Sequence, residues 1–92
     1  MMEVMRREPD FFGDQELVLV YMARRLKEAL ALEEVLNAGA LDYAVVPAPY
    51  TGGLFLSQRV GACFYVAPQS EERARALILR GAFKPLKSKQ HA

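Results

Sequence analysis

With 92 residues and a net charge of +1, the chain is long enough for one two-layer core and too short for two, and it has neither the basic field that nucleic acid selects nor an acidic tail. Apolar residues make up 52% and charged residues 25%, which excludes a disordered composition. Its one cysteine, Cys63, excludes an internal disulfide and a cysteine-based metal site and suits a reducing compartment.

Residues 1–16 are expected to form a flexible extension, because "MMEVMRREPDFFGDQE" shows no sustained period and no apolar run of signal-peptide length. The domain is placed at 17–86. "LVLVYM" (17–22) is a continuous β-rich apolar run, the pattern of a strand buried on both faces or in the middle of a sheet. "ARRLKEALALEEVLNAG" then changes to helical spacing, with Leu26, Ala29, Leu30, Leu32 and Leu36 on one broad face and a stop at 37–39. "LDYAVV" (41–46) is a second strand closed by Pro47, and "GACFYVA" (61–67) a third. Ser70 before Glu71 and Glu72 reads as a helix start, with Ala74, Leu77 and Ile78 inward and Gly81 as the end. "AFKPL" (82–86) is expected as a short last strand and 87–92 as a flexible tail.

The order β-α-β-β-α-β predicts an α+β, ferredoxin-like fold: a four-stranded antiparallel sheet with both helices on one face. Right-handed crossovers make the first two strands parallel, with the third between them. The end of strand one, the start of helix one and a long loop over 47–59 then meet at one end of the sheet.

That end carries the candidate ligand site. Arg24 and Arg25 lie in the first turn of helix one, where cations oppose the helix dipole. A bound anion would reverse that cost with help from unpaired backbone N–H groups, and Thr51, Gly52, Gly53 and Arg59 of the loop could close over it. The alternative is that the arginines are simply solvated. Leu54, Phe55 and Leu56 in the same loop form an apolar triplet that asks for a cover, and a homodimer interface is the expectation. Glu33 falls within the apolar face of helix one and is a possible buried acid.

The stretch "EALALEEVLNAGALDYAVVPAP" resembles a family of short bacterial selenium- or sulfur-carrier-like domains of unknown function. The family pattern of alanine, leucine, glutamate, two leucine-like positions and glycine, followed by a strand ending Pro-x-Pro-Arg, is matched in order by Ala29, Leu30, Glu33, Val35, Leu36, Gly39, Pro47 and Pro49. Tyr50 stands where that arginine would be. In the Cys-Gly pair that opens the family's third strand, Gly61 matches the glycine and Val60 replaces the cysteine. The likeness covers residues 17–66 and extends to a group of prokaryotic domains described as signal-transducing proteins. A chalcogen carrier needs a thiolate, so the resemblance leaves Cys63 as the possible thiol.

Enzymatic, metal and nucleic-acid chemistry find little support. The one histidine, His91, lies in the tail, so no nucleophile–histidine pair is expected, and no metal ligand set or cofactor fingerprint is present. Phe64 and Tyr65 sit among apolar neighbours rather than basic ones. No run reaches the ~20 apolar residues of a membrane span. The expectation is a non-enzymatic, cytoplasmic regulatory or ligand-binding module without cofactor, which binds a small anionic ligand or a protein partner and forms a homodimer. The alternative is a thiol-dependent carrier using Cys63.

Overall fold

A computed structural model describes residues 4–52 and 57–84, the side chains of 50–52 and 57–59 excepted. Three strands, β1 (Val18–Ala23), β2 (Ala44–Gly52) and β3 (Ser57–Val66), form one sheet in the order β1-β3-β2, with β3 antiparallel to both neighbours. Two helices, α1 (Leu26–Ala38) and α2 (Glu71–Arg80), complete an α+β architecture. A short 3-10 turn, Pro68–Ser70, leads into α2, and Ser70 makes no side-chain cap bond there.

Strand β3 supplies side chains to both faces. Ala62, Phe64 and Val66 join the helix-side core with Leu32 and Leu36 of α1 and Ala74 and Ile78 of α2. In β1 the register slips between Leu19 and Tyr21, so Val20 and Tyr21 both enter that core, as a bulge permits. The Phe64 ring stacks on Tyr43 at 5.9 Å and meets Tyr21 edge-on at 6.5 Å.

Within 1–16, the described residues make specific contacts. Arg7 N–H donates to the Tyr43 carbonyl at 2.7 Å, and Tyr43 N–H donates to that of Met5 at 3.3 Å. Asn37 Oδ1 accepts from Met5 N–H at 2.8 Å, and Arg7 pairs with Asp42 at 2.8 Å. A second 3-10 turn, Pro9–Phe12, brings Phe12 onto Ala44 and Ala67 on the far side of the sheet.

Three expectations change. The span 47–59 is largely strand rather than loop, since β2–β3 pairing continues from Ala48↔Gly61 out to Gly52↔Ser57. Pro47 and Pro49 are compatible with this because β2 is an edge. Tyr43 turns its N–H and C=O away from β3 toward residues 5–7, and two-residue alternation points the backbone nitrogens of Pro47 and Pro49 to the same open side. Leu26 and Leu30, expected inside, are 75% and 54% exposed; the buried stripe of α1 is Ala29, Leu32 and Leu36. "AFKPL" begins inside the turn that closes α2, and 85–86 lie outside the described residues.

The two helices end in the same way. After α1, Leu41 N–H bonds to the Leu36 carbonyl at 3.2 Å and Ala40 N–H to that of Asn37 at 3.0 Å; after α2, Phe83 bonds to Ile78 and Ala82 to Leu79, both at 3.0 Å. These are paired Schellman closures. The residue in the left-handed conformation is alanine in both, Ala40 (φ 54°) and Ala82 (φ 70°), while glycine stands one position earlier. Close packing accounts for the order: a Cβ on Gly39 would lie 2.6 Å from Leu77 Cδ1, and one on Gly81 2.8 Å from Val35 Cγ2. Each helix end thus leans on the other helix. Left-handed alanine costs roughly 1–2 kcal/mol, partly offset by the unfolded-state entropy that glycine adds. Ala40→Gly and Ala82→Gly should therefore each stabilise the fold by about 0.5–1 kcal/mol in urea unfolding. Gly81→Ala should destabilise it, because the β-branched Val35 cannot rotate its methyl aside as readily as Leu77 can; a neutral Gly81→Ala would contradict this packing.

Candidate functional site

At the start of α1 a pocket of about 260 Å³ opens between helix and sheet. Leu26 and Ala29 of α1, Val45 and Pro47 of β2, and Val60 and Ala62 of β3 make its walls, with Arg24 and Arg25 at its mouth. The sheet's antiparallel order brings these segments together, because β1 ends opposite Ala62 and delivers the chain directly into α1. Val60, 69% exposed, and Leu26 leave much of the wall open to solvent.

Arg25 is the N-cap of α1 and supplies no side-chain cap. Capping falls to Glu28, an acid in the first turn: its Oε1 accepts the Arg24 backbone N–H at 3.2 Å, and its Oε2 accepts the Tyr21 hydroxyl. This carboxylate partly offsets the arginines and complements the helix dipole. Burial, reinforced by the bond to Glu28, raises the Tyr21 pKa from 10.0 to about 12. Its sequence signal was a glutamate three residues after the cap. The apolar walls left a fainter trace, since residues from three elements contribute and none forms a motif.

The other candidates lie apart from one another. Thr51, Gly52 and Arg59 sit on the outward run of the hairpin, Thr51 opposite Gln58 and Arg59 opposite Tyr50, beyond the pocket's described lining. Gly53, Leu54, Phe55 and Leu56 lie outside the described residues. Cys63 is 5% exposed in mid-strand, and burial raises its thiol pKa above 9.0, which holds the thiolate scarce at neutral pH. A wider hollow of about 520 Å³ opens on the surface where the ends of α1 and α2 meet. There the Arg73 guanidinium donates to the Gly39 carbonyl, as cations commonly do at helix C-termini. Among the described residues no group of His, Cys, Asp and Glu could hold a metal ion, and no helix is long and apolar enough to cross a membrane.

Glu33 is neither fully buried nor unpartnered. Its side chain is 15% exposed, its Oε1 accepts the hydroxyl of the fully buried Tyr43 at 2.7 Å, and Arg6 lies 3.5 Å from its other oxygen. Tyr43 also donates to Asn37 Oδ1 at 3.2 Å. Burial, then the bond to Glu33, pushes the Tyr43 pKa up.

No known family's sequence profile, no curated protein and no solved structure matches the chain.

Simple desolvation of Glu33 would make Glu33→Gln neutral or stabilising. The bonded geometry predicts a small loss instead, about 0.5 kcal/mol, because the amide still accepts from Tyr43 but no longer faces Arg6 as a charge. Glu33→Ala should cost about 1–2 kcal/mol, leaving Tyr43 with its longer bond alone. Urea unfolding checks both, and a more stable Glu33→Gln would contradict the network.

Proposed function

We propose that the chain is a non-enzymatic regulatory or small-ligand-binding module, and that its ligand has a compact apolar body and one anionic end. The pocket at the start of α1 carries this reading, because apolar walls and arginines meet there in one concavity. The apolar body would lie on Leu26, Pro47 and Val60. The anionic end would meet Arg25, which makes no ion pair among the described residues. The volume, just under the range of drug-sized sites, restricts the ligand to a small molecule.

The same reading includes a fourth strand. Phe83 packs edge-on against Tyr21 at 5.6 Å, so the chain leaves α2 beside the outer edge of β1. The expected last strand, "AFKPL" over 82–86, would complete the ferredoxin-like sheet along that edge. A cytoplasmic setting rests on the single cysteine, and kinship with the carrier-like domains on the matched positions from Ala29 to Pro49. The carrier alternative gains nothing from Cys63, whose burial opposes the thiolate it would need.

Thermal unfolding with phosphate, a nucleotide, and short aliphatic and aromatic carboxylates tests the proposal. A carboxylate with an apolar body should raise the melting temperature, stabilising by about 2.7 kcal/mol at a hundredfold excess over its dissociation constant. Arg25→Ala and Val60→Asp should each abolish most of the shift. No shift with any of these ligands, or equal shifts in both variants, would overturn it.

A further inference from the structure

The segment ahead of β1 changes sides of the sheet. Met5 packs against the helix-side core, whereas Phe12, at the end of the Pro9–Phe12 turn, lies on Ala44 and Ala67 of the far side. Between these two anchors the chain crosses the open edge of β2, where Arg6 forms a parallel bridge with Tyr43. The crossing is fastened through main chain and side chains alike. Tyr43 gives its N–H to the Met5 carbonyl and accepts the Arg7 N–H, Met5 N–H donates to Asn37, and Arg6 and Arg7 pair with Glu33 and Asp42. The Arg7 guanidinium also lies 5.0 Å from the centre of the Phe11 ring, which joins the two halves of the crossing.

We propose that residues 5–12 are a strap that guards the edge of β2 against pairing with a further strand, and that residues 5–8 of it can open while the domain stays folded. An outermost strand presents its outward N–H and C=O groups to any extended chain. With Tyr43 turned outward, alternation along β2 directs the groups of residues 45, 47 and 49 outward too. Pro47 and Pro49 have no N–H to offer, so the farther part of this stretch is already blunted. Between 43 and 49 the outward donors are those of Tyr43 and Val45, and this is where the strap crosses. Closed, it occupies both backbone groups of Tyr43. Opened, it leaves Tyr43 and Val45 as two successive outward donor–acceptor pairs. Opening demands far less than unfolding, because no residue of the strap is among the buried members of the helix-side core. Its ion pairs are also within reach of water and salt, with the Arg6 side chain 55% and the Arg7 side chain 33% exposed. Phe12, which is buried, keeps the opened segment tethered.

Hydrogen exchange and sedimentation velocity on the full chain test this. In the wild type the Tyr43 and Arg7 amides should be protected, and added salt should speed their exchange while leaving that of Cys63 unchanged. Arg7→Pro removes the N–H that the Tyr43 carbonyl accepts, together with the ion pair to Asp42, and should speed exchange at the Tyr43 amide about tenfold. A double variant, Arg6→Gln with Arg7→Gln, removes both ion pairs but keeps every N–H, and should speed it about fivefold. Both variants should form larger species than the wild type as concentration rises from the micromolar to the millimolar range. A Tyr43 amide that exchanges as fast in the wild type as in the folded variants would overturn the proposal, as would folded variants that open at Tyr43 yet sediment as the wild type does. Should Arg7→Pro fail to fold, the double variant decides alone.

Discussion

From Val60 to Val66, strand β3 carries no charged residue on either face, and the two helices described cover one of them. Phe64 and Val66 hold α1 and α2 to the sheet from one side, while Cys63 and Tyr65 point to the other. Most of the architecture answers this constraint. The bulge at Val20 adds bulk to the helix side, where two helices must be filled against three strands. Phe12 covers one end of the far side.

Reciprocal glycine contacts between the helix ends fix how α1 lies on the sheet, and this places the pocket. With Gly39 seated on Leu77 and Gly81 on Val35, the last turns of α1 are held against α2. Its first turn projects past the end of β1 toward Pro47 and Val60. Leu26 and Leu30 remain exposed on the opposite flank of the same helix. An exposed leucine on a flank is unremarkable alone; beside a pocket it supplies the apolar wall.

Much of the fold was legible because its signals are local. "LVLVYM" declared a strand, although only its helix side is buried and it lies outermost in the described sheet, and the periodic leucines and final glycines declared two helices. What stayed illegible depended on neighbours. Pro47 and Pro49 read as the end of a strand because proline breaks a central strand, and only the position of β2 at the edge makes them admissible. Leu26 and Leu30 matched the helical period, but where the stripe stops depends on which strand lies beneath. The place of Glu33 on the inner face was legible, whereas its partners Tyr43 and Arg6 come from a strand and from the leading segment. At the candidate site the arginines were visible as charge out of keeping with the helix dipole, while the cap by Glu28 and the walls of Val45, Pro47 and Val60 arise only when three elements converge.

The sheet runs on through Pro47 and Pro49 because both lie on the open edge of β2 while the residues alternating with them bond to β3. Amide hydrogen exchange on the full chain measures this directly. The amides of Val46 and Ala48 should exchange slowly together with those of their partners Cys63 and Gly61. Fast exchange at Ala48 and Gly61 with Val46 and Cys63 still protected, as a loop over 47–59 would give, would contradict the account.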